Sequence, residues 1–400
     1  MPSSVNSMDF MQASTLLNAL RKQMTGQSSL AAADESTFVS VATSLLQMGV
    51  DPVMSAISQL IGKTIFSVRP YNAKLVGIEV DAQRWGYITR KLAVADKDFT
   101  NDSGFSLTDG YSVDMYTVNK PNLLQMNYYG QNIFQKYYTI FRNQLNSAFT
   151  GSQQFGEFMT MVTQNSLDMI EQTREVVRRM TLNNFIAGKL DAESNLVSEE
   201  ENGVIHCLTD YNSDTGSSVT STTVFAKENF DDFCKWLYAK IATVSNLMTE
   251  RTQLFQINVS GKAIQRHTPK ADQRLYLYAP IMAQISARVQ SDTFNDELIE
   301  YTNMEPINFW QSALTPDSIN VKPVYLKASD GELKVASAAV SQSGILGVIF
   351  DRDALGVTIM DEETSTTPYN SAGRYWNIYY SFIQRYWNDF TEKFCVFVLD

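Results

Sequence analysis

The chain has 400 residues, of which 44% are hydrophobic, and its formal net charge at pH 7 is -11. This length exceeds that of a usual single core and predicts two or more domains or extended elements, while the apolar content excludes a disordered chain. The acidic balance argues against a sequence-independent grip on nucleic acid, because such a grip needs clustered Lys and Arg.

Residues 1–70 are polar and rich in Ser, Gln and Ala, with short helical patterns at residues 16–20 and 38–48. They hold too few large apolar side chains to form a core, so we predict that they dock elsewhere on the chain or on a neighbouring copy. The start of the chain shows no basic region followed by an apolar core, and no stretch approaches the about 18–20 apolar residues of a membrane span. We therefore expect no signal peptide and synthesis in the cytosol.

Residues 71–140 predict a long two-stranded hairpin. Apolar residues alternate with polar ones on both sides of a polar stretch at residues 96–110: Val76, Ile78 and Val80 precede it, and Tyr111, Val113 and Met115 follow it. An isolated hairpin is only marginally stable in water. A hairpin of this length is therefore expected to need an outside surface.

A helix of about thirty residues, about 45 Å long at 1.5 Å per residue, is predicted over residues 155–186. The segment contains no Pro, and its apolar residues recur at helical spacing. Glu175 and Arg179 form a favourable i,i+4 pair on this helix. Gly188 is the predicted stop, since Gly commonly follows the last turn of a helix.

Beyond a polar connection at residues 196–224, helical and strand patterns alternate. Apolar residues on one face predict a further helix, namely Phe230, Phe233, Leu237, Ile241 and Val244. Residues 254–259 and 275–278 predict strands, and Pro280 begins a helix that extends to Val289. The mixture predicts an α+β domain.

The last part of the chain, residues 343–400, is the most informative. Two apolar runs, at residues 345–350 and 355–360, flank an Asp-Arg-Asp turn, and an aromatic segment at residues 375–390 precedes a final strand. Large side chains alternate with polar ones along the aromatic segment: Trp376, Ile378, Tyr380 and Phe382 fall on one face, and Asn377 and Ser381 on the other. Such runs, bounded by turn residues, are typical of antiparallel sheet.

No combination of residues predicts catalysis, a cofactor or a metal centre. The two histidines, His206 and His267, are far apart in sequence, and neither an H-E-x-x-H nor a Cys-x-x-Cys spacing occurs. The three cysteines, Cys207, Cys234 and Cys395, are predicted to pack as small apolar residues. We therefore predict that the chain is not an enzyme.

Two patterns allow a second interpretation. The turn at residues 351–353 can cap its own backbone or pair with a neighbouring copy, and its acids could instead hold a divalent cation between subunits. The aromatic residues near Arg374 and Arg385 could stack on single-stranded nucleic acid. Packing is favoured for that segment because it carries only these two basic residues and the chain is acidic.

The C-terminal order is an apolar strand, Asp351-Arg352-Asp353, a Gly-containing apolar strand, Tyr-Asn, an aromatic Trp-Asn strand and a short final strand. It resembles the C-terminus of major capsid proteins of short-tailed phages, particularly those of the phi29 type, which have the HK97 fold. The resemblance implies an α+β fold of this HK97-like type.

The resemblance also implies a division of the chain. The N-terminal arm would comprise residues 1–70, and the E-loop hairpin with its flanks, which reaches over a neighbouring subunit, residues 71–140. Residues 141–205 would form the peripheral domain with a long spine helix, and residues 206–365 the axial domain and its connections. The strands of residues 366–400 would return to the peripheral domain.

The implied function is structural: self-assembly into the pentamers and hexamers of an icosahedral head that encloses double-stranded DNA without sequence-specific binding. Implied partners are other copies, a separate scaffolding protein and a portal, but no membrane. The chain would be made in the host bacterial cytoplasm, escape N-terminal processing and become part of the virion. The remaining alternative is a soluble bacterial α+β enzyme or binding module. Contacts between copies are expected at Asp351, Arg352, Asp353, Trp85, Arg84, Glu175 and Arg179.

Overall fold

The structure is a computed structural model that describes residues 10–25, 34–47, 53, 74–81, 89–95, 109–110, 116, 118, 120, 122–128, 131–148, 150–193, 203–259, 264–292, 304–329 and 331–399. Its helices are α1 (Phe10–Thr25), α2 (Glu35–Gln47), α3 (Arg142–Ala148), α4 (Ser152–Glu193), α5 (Cys207–Thr215), α6 (Lys227–Thr249) and α7 (Ala279–Asp292). Its strands are β1 (Thr89–Ala95), β2 (Asn122–Tyr128), β3 (Gln131–Phe141), β4 (Val204–His206), β5 (Gln273–Tyr278), β6 (Met304–Ile307), β7 (Ile319–Val321), β8 (Val324–Leu326), β9 (Leu333–Val335), β10 (Val340–Gln342), β11 (Ile345–Asp351), β12 (Leu355–Thr366), β13 (Tyr375–Asn388) and β14 (Phe394–Val398).

A five-stranded mixed sheet in the order β4-β14-β11-β5-β6 forms the centre of one half of the described chain. β11 pairs antiparallel with β14 and β5, whereas β4 and β6 pair parallel to their neighbours. Every residue of β11 and β14 is buried. One face packs on α6 and α7, and the other packs on the second half of α4. Both strands are nearly continuous apolar runs because both of their faces are covered.

A three-stranded antiparallel sheet in the order β12-β13-β3 forms the other half. Trp376, Ile378, Tyr380 and Phe382 on β13 all point into one core, as their alternation predicted. That core is completed by α1, α2 and the first half of α4. The described part of the N-terminal segment therefore docks on its own chain.

Helix α4 joins the two halves, since its first half lies in one core and its second half in the other. It has 42 residues and continues through Gly188, so the prediction that Gly188 ends the helix is wrong. A Cβ atom at Gly188 would lie 2.7 Å from the ring of Phe390 and 3.0 Å from Cβ of Tyr325. Glycine stands there because neighbouring side chains approach the helix closely.

The predicted strand at Val76, Ile78 and Val80 is also wrong in its first half. Val76–Ile78 form a 3₁₀ turn that follows Leu75 at φ 63°. The backbone N–H of Leu75 donates to Oε1 of Glu305 at 2.7 Å. Only beyond this turn is the chain extended, where the N–H of Val80 donates to the carbonyl of Val357 at 2.9 Å. The second half of the predicted hairpin pattern, at residues 111–115, lies outside the described residues.

Residues 254–259 are mostly buried but do not form the predicted strand. Phe255 has φ 66°, which breaks an extended conformation. The N–H of Ile257 donates to the carbonyl of Phe390, while the carbonyl of Phe255 accepts from the N–H of Phe394. Their backbone groups are satisfied by a loop, so apolar content alone was misleading. The polar connection likewise contains β4 and α5, whereas α6, β5, α7 and the C-terminal strands agree with prediction.

Candidate inter-subunit site

The Asp-Arg-Asp turn connects β11 to β12, and its first residue caps it. Oδ1 of Asp351 accepts from the N–H of Asp353 at 2.7 Å, and Oδ2 accepts from Oγ1 of Thr268 at 2.7 Å. The Asp351 side chain is buried. Of the two structural roles predicted for this turn, backbone capping is therefore the one that Asp351 performs within the chain.

The other two side chains of the turn are exposed, by 55% for Arg352 and 65% for Asp353. Arg352 lies 3.4 Å from Oδ1 of Asp272 and 3.7 Å from Oδ1 of Asp353. Exposed ion pairs of this kind contribute at most about 1 kcal/mol, so little holds the guanidinium in place. Arg352 and Asp353 are therefore accessible to another molecule.

A cleft of about 530 Å³ opens beside this turn. Its lining includes Ala93 and Val94 of β1 and, from the loop before β5, Arg266 and His267. Positive and negative side chains both line the cleft: Arg251, Arg266 and Arg352, with Asp272, Asp353 and Glu392. A mixed lining of this kind suits a polar segment of protein better than a small ligand of a single charge.

A largely buried ionic cluster fastens the β1–β2 hairpin beside the cleft. Nζ of Lys91 lies 2.8 Å from Oδ2 of Asp389 and 2.5 Å from Oε1 of Glu392. Glu392 also pairs with Arg266 at 3.0 Å. Burial acts to lower the pKa of Lys91, but the two carboxylates outweigh it and raise that pKa above its usual value. We call Lys91, Asp389, Glu392 and Arg266 the hairpin latch.

The predicted contact residues Glu175 and Arg179 lie on the buried side of α4. Nη2 of Arg179 is 2.6 Å from Oε1 of Glu175, and its guanidinium carbon stacks 3.9 Å from the ring centroid of Phe309. Oε2 of Glu175 accepts from the N–H of Lys74 at 3.2 Å. The pair thus joins the helix to the base of the hairpin segment. The other two predicted contacts, Arg84 and Trp85, lie outside the described residues.

No sequence pattern indicates the importance of residues 389–393, whose polar composition is typical of an exposed connection. All five are buried. Nζ of Lys393 donates to the carbonyl of Glu250 at 2.8 Å and to Oγ1 of Thr252 at 2.9 Å, beside the end of α6. Phe390 stacks on Phe185 of α4 at 4.3 Å between ring centroids. This connection therefore joins hairpin, helices and both sheets.

One of the two histidines and all three cysteines have structural roles. His206 pairs with Glu193 at 2.9 Å, and the three cysteines are buried in the apolar core around α6. Among the residues that the structure describes, no group of three His, Cys, Asp or Glu side chains is placed to hold a metal ion. The same residues include no helix of the length and apolarity required to cross a membrane.

The fold matches solved phage capsid structures. A chain in the capsid structure of Staphylococcus phage Andhra superimposes with a TM-score of 0.50 at 10% identity, over 83% of this chain and 88% of that one. A chain in the structure of head fiber and inner core protein gp22 of native bacteriophage P68 gives 0.51 at 11% identity, over 82% and 85%. These likenesses define the fold as HK97-like.

The sequence identifies the family within that fold class. Residues 17–398 match the model of the Phi29-like phage major capsid proteins, and the chain belongs to that family. No curated protein matches the chain in sequence. The protein is thus a structural component of the virion that assembles in multiple copies, and neither an enzyme nor a separate binding module is favoured.

Proposed function

We propose that this chain is the repeating subunit of an icosahedral head, that it forms pentamers and hexamers, and that it encloses double-stranded DNA without reading its sequence. The net charge of -11 supports this role, because an acidic wall does not adhere to packed polyanionic DNA. Family membership supports assembly with a separate scaffolding protein and a portal after synthesis in the host bacterial cytoplasm.

The division of the chain follows the same proposal. Residues 1–70 are the arm, residues 71–140 the E-loop hairpin and its flanks, residues 141–205 the peripheral domain and residues 206–365 the axial domain, with α4 as the spine helix. Residues 366–400 return to the peripheral domain, where β13 shares a core with the first half of α4, and their last strand, β14, also joins the five-stranded sheet.

One observation carries the assembly role: the two faces of the β1–β2 hairpin differ. Lys91 and Ala93 face the chain, where the latch and Ile264 hold them. Leu92 and Leu123 are exposed. Exposed leucine side chains on a two-stranded hairpin are costly unless another surface covers them. In a shell of identical copies, that surface is supplied by the neighbouring subunit.

The exposed charges of the turn at residues 351–353 fit the same contact. Arg352 and Asp353 border the cleft beside the hairpin and face solvent. We assign them to ion pairs with a neighbouring copy, whereas Asp351 caps the turn within the chain and Glu175 and Arg179 pair with each other on the buried side of α4. Any contacts by Arg84 and Trp85 belong to the same proposed interface.

The test replaces both leucines with a charge. The Leu92→Asp/Leu123→Asp variant is expected to remain folded by circular dichroism, because both side chains are exposed, but to form no shells by negative-stain microscopy with scaffold present. Gln253→Asp adds a charge at another exposed position and should assemble normally. Shell formation by the double variant at the level of the unmodified chain would refute the assigned role of the hairpin.

A further inference from the structure

The three-stranded sheet has a second face, which points away from α1, α2 and α4. On β3 this face carries Ile133, Tyr137 and Phe141, whose side chains are 67%, 68% and 48% exposed. An apolar patch of this kind on a sheet is normally covered in the working assembly. We call it the outer face.

The outer face is ordered into rows across β3 and β13. Tyr137 lies opposite Tyr379 with 5.9 Å between ring centroids, and Phe141 lies opposite Tyr375 at 6.1 Å. A polar row separates them, in which Oγ1 of Thr139 lies 2.7 Å from Oδ1 of Asn377. Cross-strand contacts hold these rings in place, so the surface is organised before any partner arrives.

The charges around the outer face are unequally distributed. Asp361 and Glu363 of β12 are exposed on the same face as Ile383, which lies directly opposite Asp361. The other end of the face is flanked by Arg374 and Arg142, which are exposed next to Tyr375 and Phe141. One end of the outer face is therefore acidic and the other end basic.

We propose that the outer face docks on the outer face of a second copy, with the strands of the two copies antiparallel. A twofold axis across the strands brings the acidic end of each copy against the basic end of the other. A parallel arrangement would oppose like charges. The proposal rests on the shell-building role above, which supplies the second copy, and adds to it a contact separate from the hairpin.

The size of the outer face indicates when the contact forms. Residues 133–141 span about 27 Å at about 3.4 Å per residue, and two strands give a patch of roughly 300 Å². A stable interface buries about 800 Å² on each partner. The outer face alone is too small to hold two free subunits together, so the contact forms where the lattice already brings the copies close.

Charge reversal tests the orientation. Asp361→Lys/Glu363→Lys makes both ends basic, and Arg142→Glu/Arg374→Glu makes both ends acidic. Each variant alone is expected to lose at least tenfold in shell yield at low salt, with unchanged circular dichroism. An equal mixture of the two should regain most of the yield, since every basic end then finds an acidic one. Glu332→Lys, at an exposed position on the β8–β9 hairpin, is the matched control.

Each outcome of the charge-reversal experiment either supports or overturns the antiparallel contact. Normal yield from either variant alone, or failure of two folded variants to rescue each other, would overturn the antiparallel contact. A failure of the shell-building role is distinguishable, because the unmodified chain and the Glu332→Lys control would then form no shells either.

Discussion

The two sheets of this protein use the same kinds of residue in opposite ways. In the five-stranded sheet, Phe350 and Phe394 stack at 5.4 Å between ring centroids, and both are fully buried. In the three-stranded sheet, Tyr137 and Tyr379 make a similar contact at 5.9 Å, but Tyr137 is mostly exposed. Aromatic pairs in the first sheet stabilise the subunit, whereas the outer-face pairs Tyr137–Tyr379 and Phe141–Tyr375 of the second form the surface that we propose for docking.

The largest expected effect is on the stability of the first sheet. Phe350→Ala removes a ring that also contacts Tyr276 at 5.2 Å, and should lower the free energy of unfolding by about 3–5 kcal/mol. Tyr137→Ala, the matched change on the outer face, should alter it by no more than about 0.5 kcal/mol. Urea denaturation followed by fluorescence measures both. Equal losses in the two variants would contradict the division of roles between the sheets.

The spacing of apolar residues in the sequence correctly distinguishes the fully buried strand β11 from the half-buried strand β13. Residues 345–350 form a continuous apolar run and are buried on both faces. The alternation of Trp376 and Ile378 with Asn377 predicted a half-buried strand, which β13 confirms. The spacing of apolar residues is a local property of the sequence, so the burial of these two strands could be predicted without knowing the rest of the fold.

The candidate site was less predictable because its contacts are distant in sequence. Lys91 meets Asp389 and Glu392 about 300 residues later, and no spacing rule links them. Gly188 satisfied the local rule for a helix end, yet the ring of Phe390 explains it. Asp351 was placed in the right turn, but its burial depends on Thr268 from another loop. Tertiary packing decided each of these cases.

The next effect is a pH dependence that should be larger beside the first sheet than beside the second. Lys189 on α4 is fully buried, and its Nζ donates to the carbonyl of Phe255 at 3.0 Å. Burial lowers its pKa to about 7, from the usual value of 10.5. Between these values the unfolded chain binds a proton that the folded chain lacks, so stability rises with pH. Below pH 7 the full penalty of charging the buried amine applies.

Lys189→Met should remove this contribution. From pH 7 to pH 9, the unfolding free energy of the unmodified chain should rise by about 2 kcal/mol relative to that of the variant. Urea denaturation at several pH values gives the difference between the two chains, which cancels the other titrating groups. A constant difference across this range would show that Lys189 titrates normally. Lys136→Met, on β3 in the other sheet, is the matched comparison: burial also lowers the pKa of Lys136, but this side chain is only partly buried, so its contribution should be smaller.

The smallest expected effect is the loss of stability when one threonine hydroxyl is removed, and it should differ between an exposed and a buried position. Thr139→Val removes an exposed cross-strand hydrogen bond of 2.7 Å to Asn377, and water can replace that bond, so the loss should be at most about 0.5 kcal/mol. Thr358→Val removes a bond of 2.8 Å from a fully buried hydroxyl to the carbonyl of Asp81, and should cost about 1–2 kcal/mol. A larger loss for Thr139→Val would mean that the outer face is already covered in the isolated chain. The order of the two values in urea denaturation therefore tests whether that face is exposed before assembly.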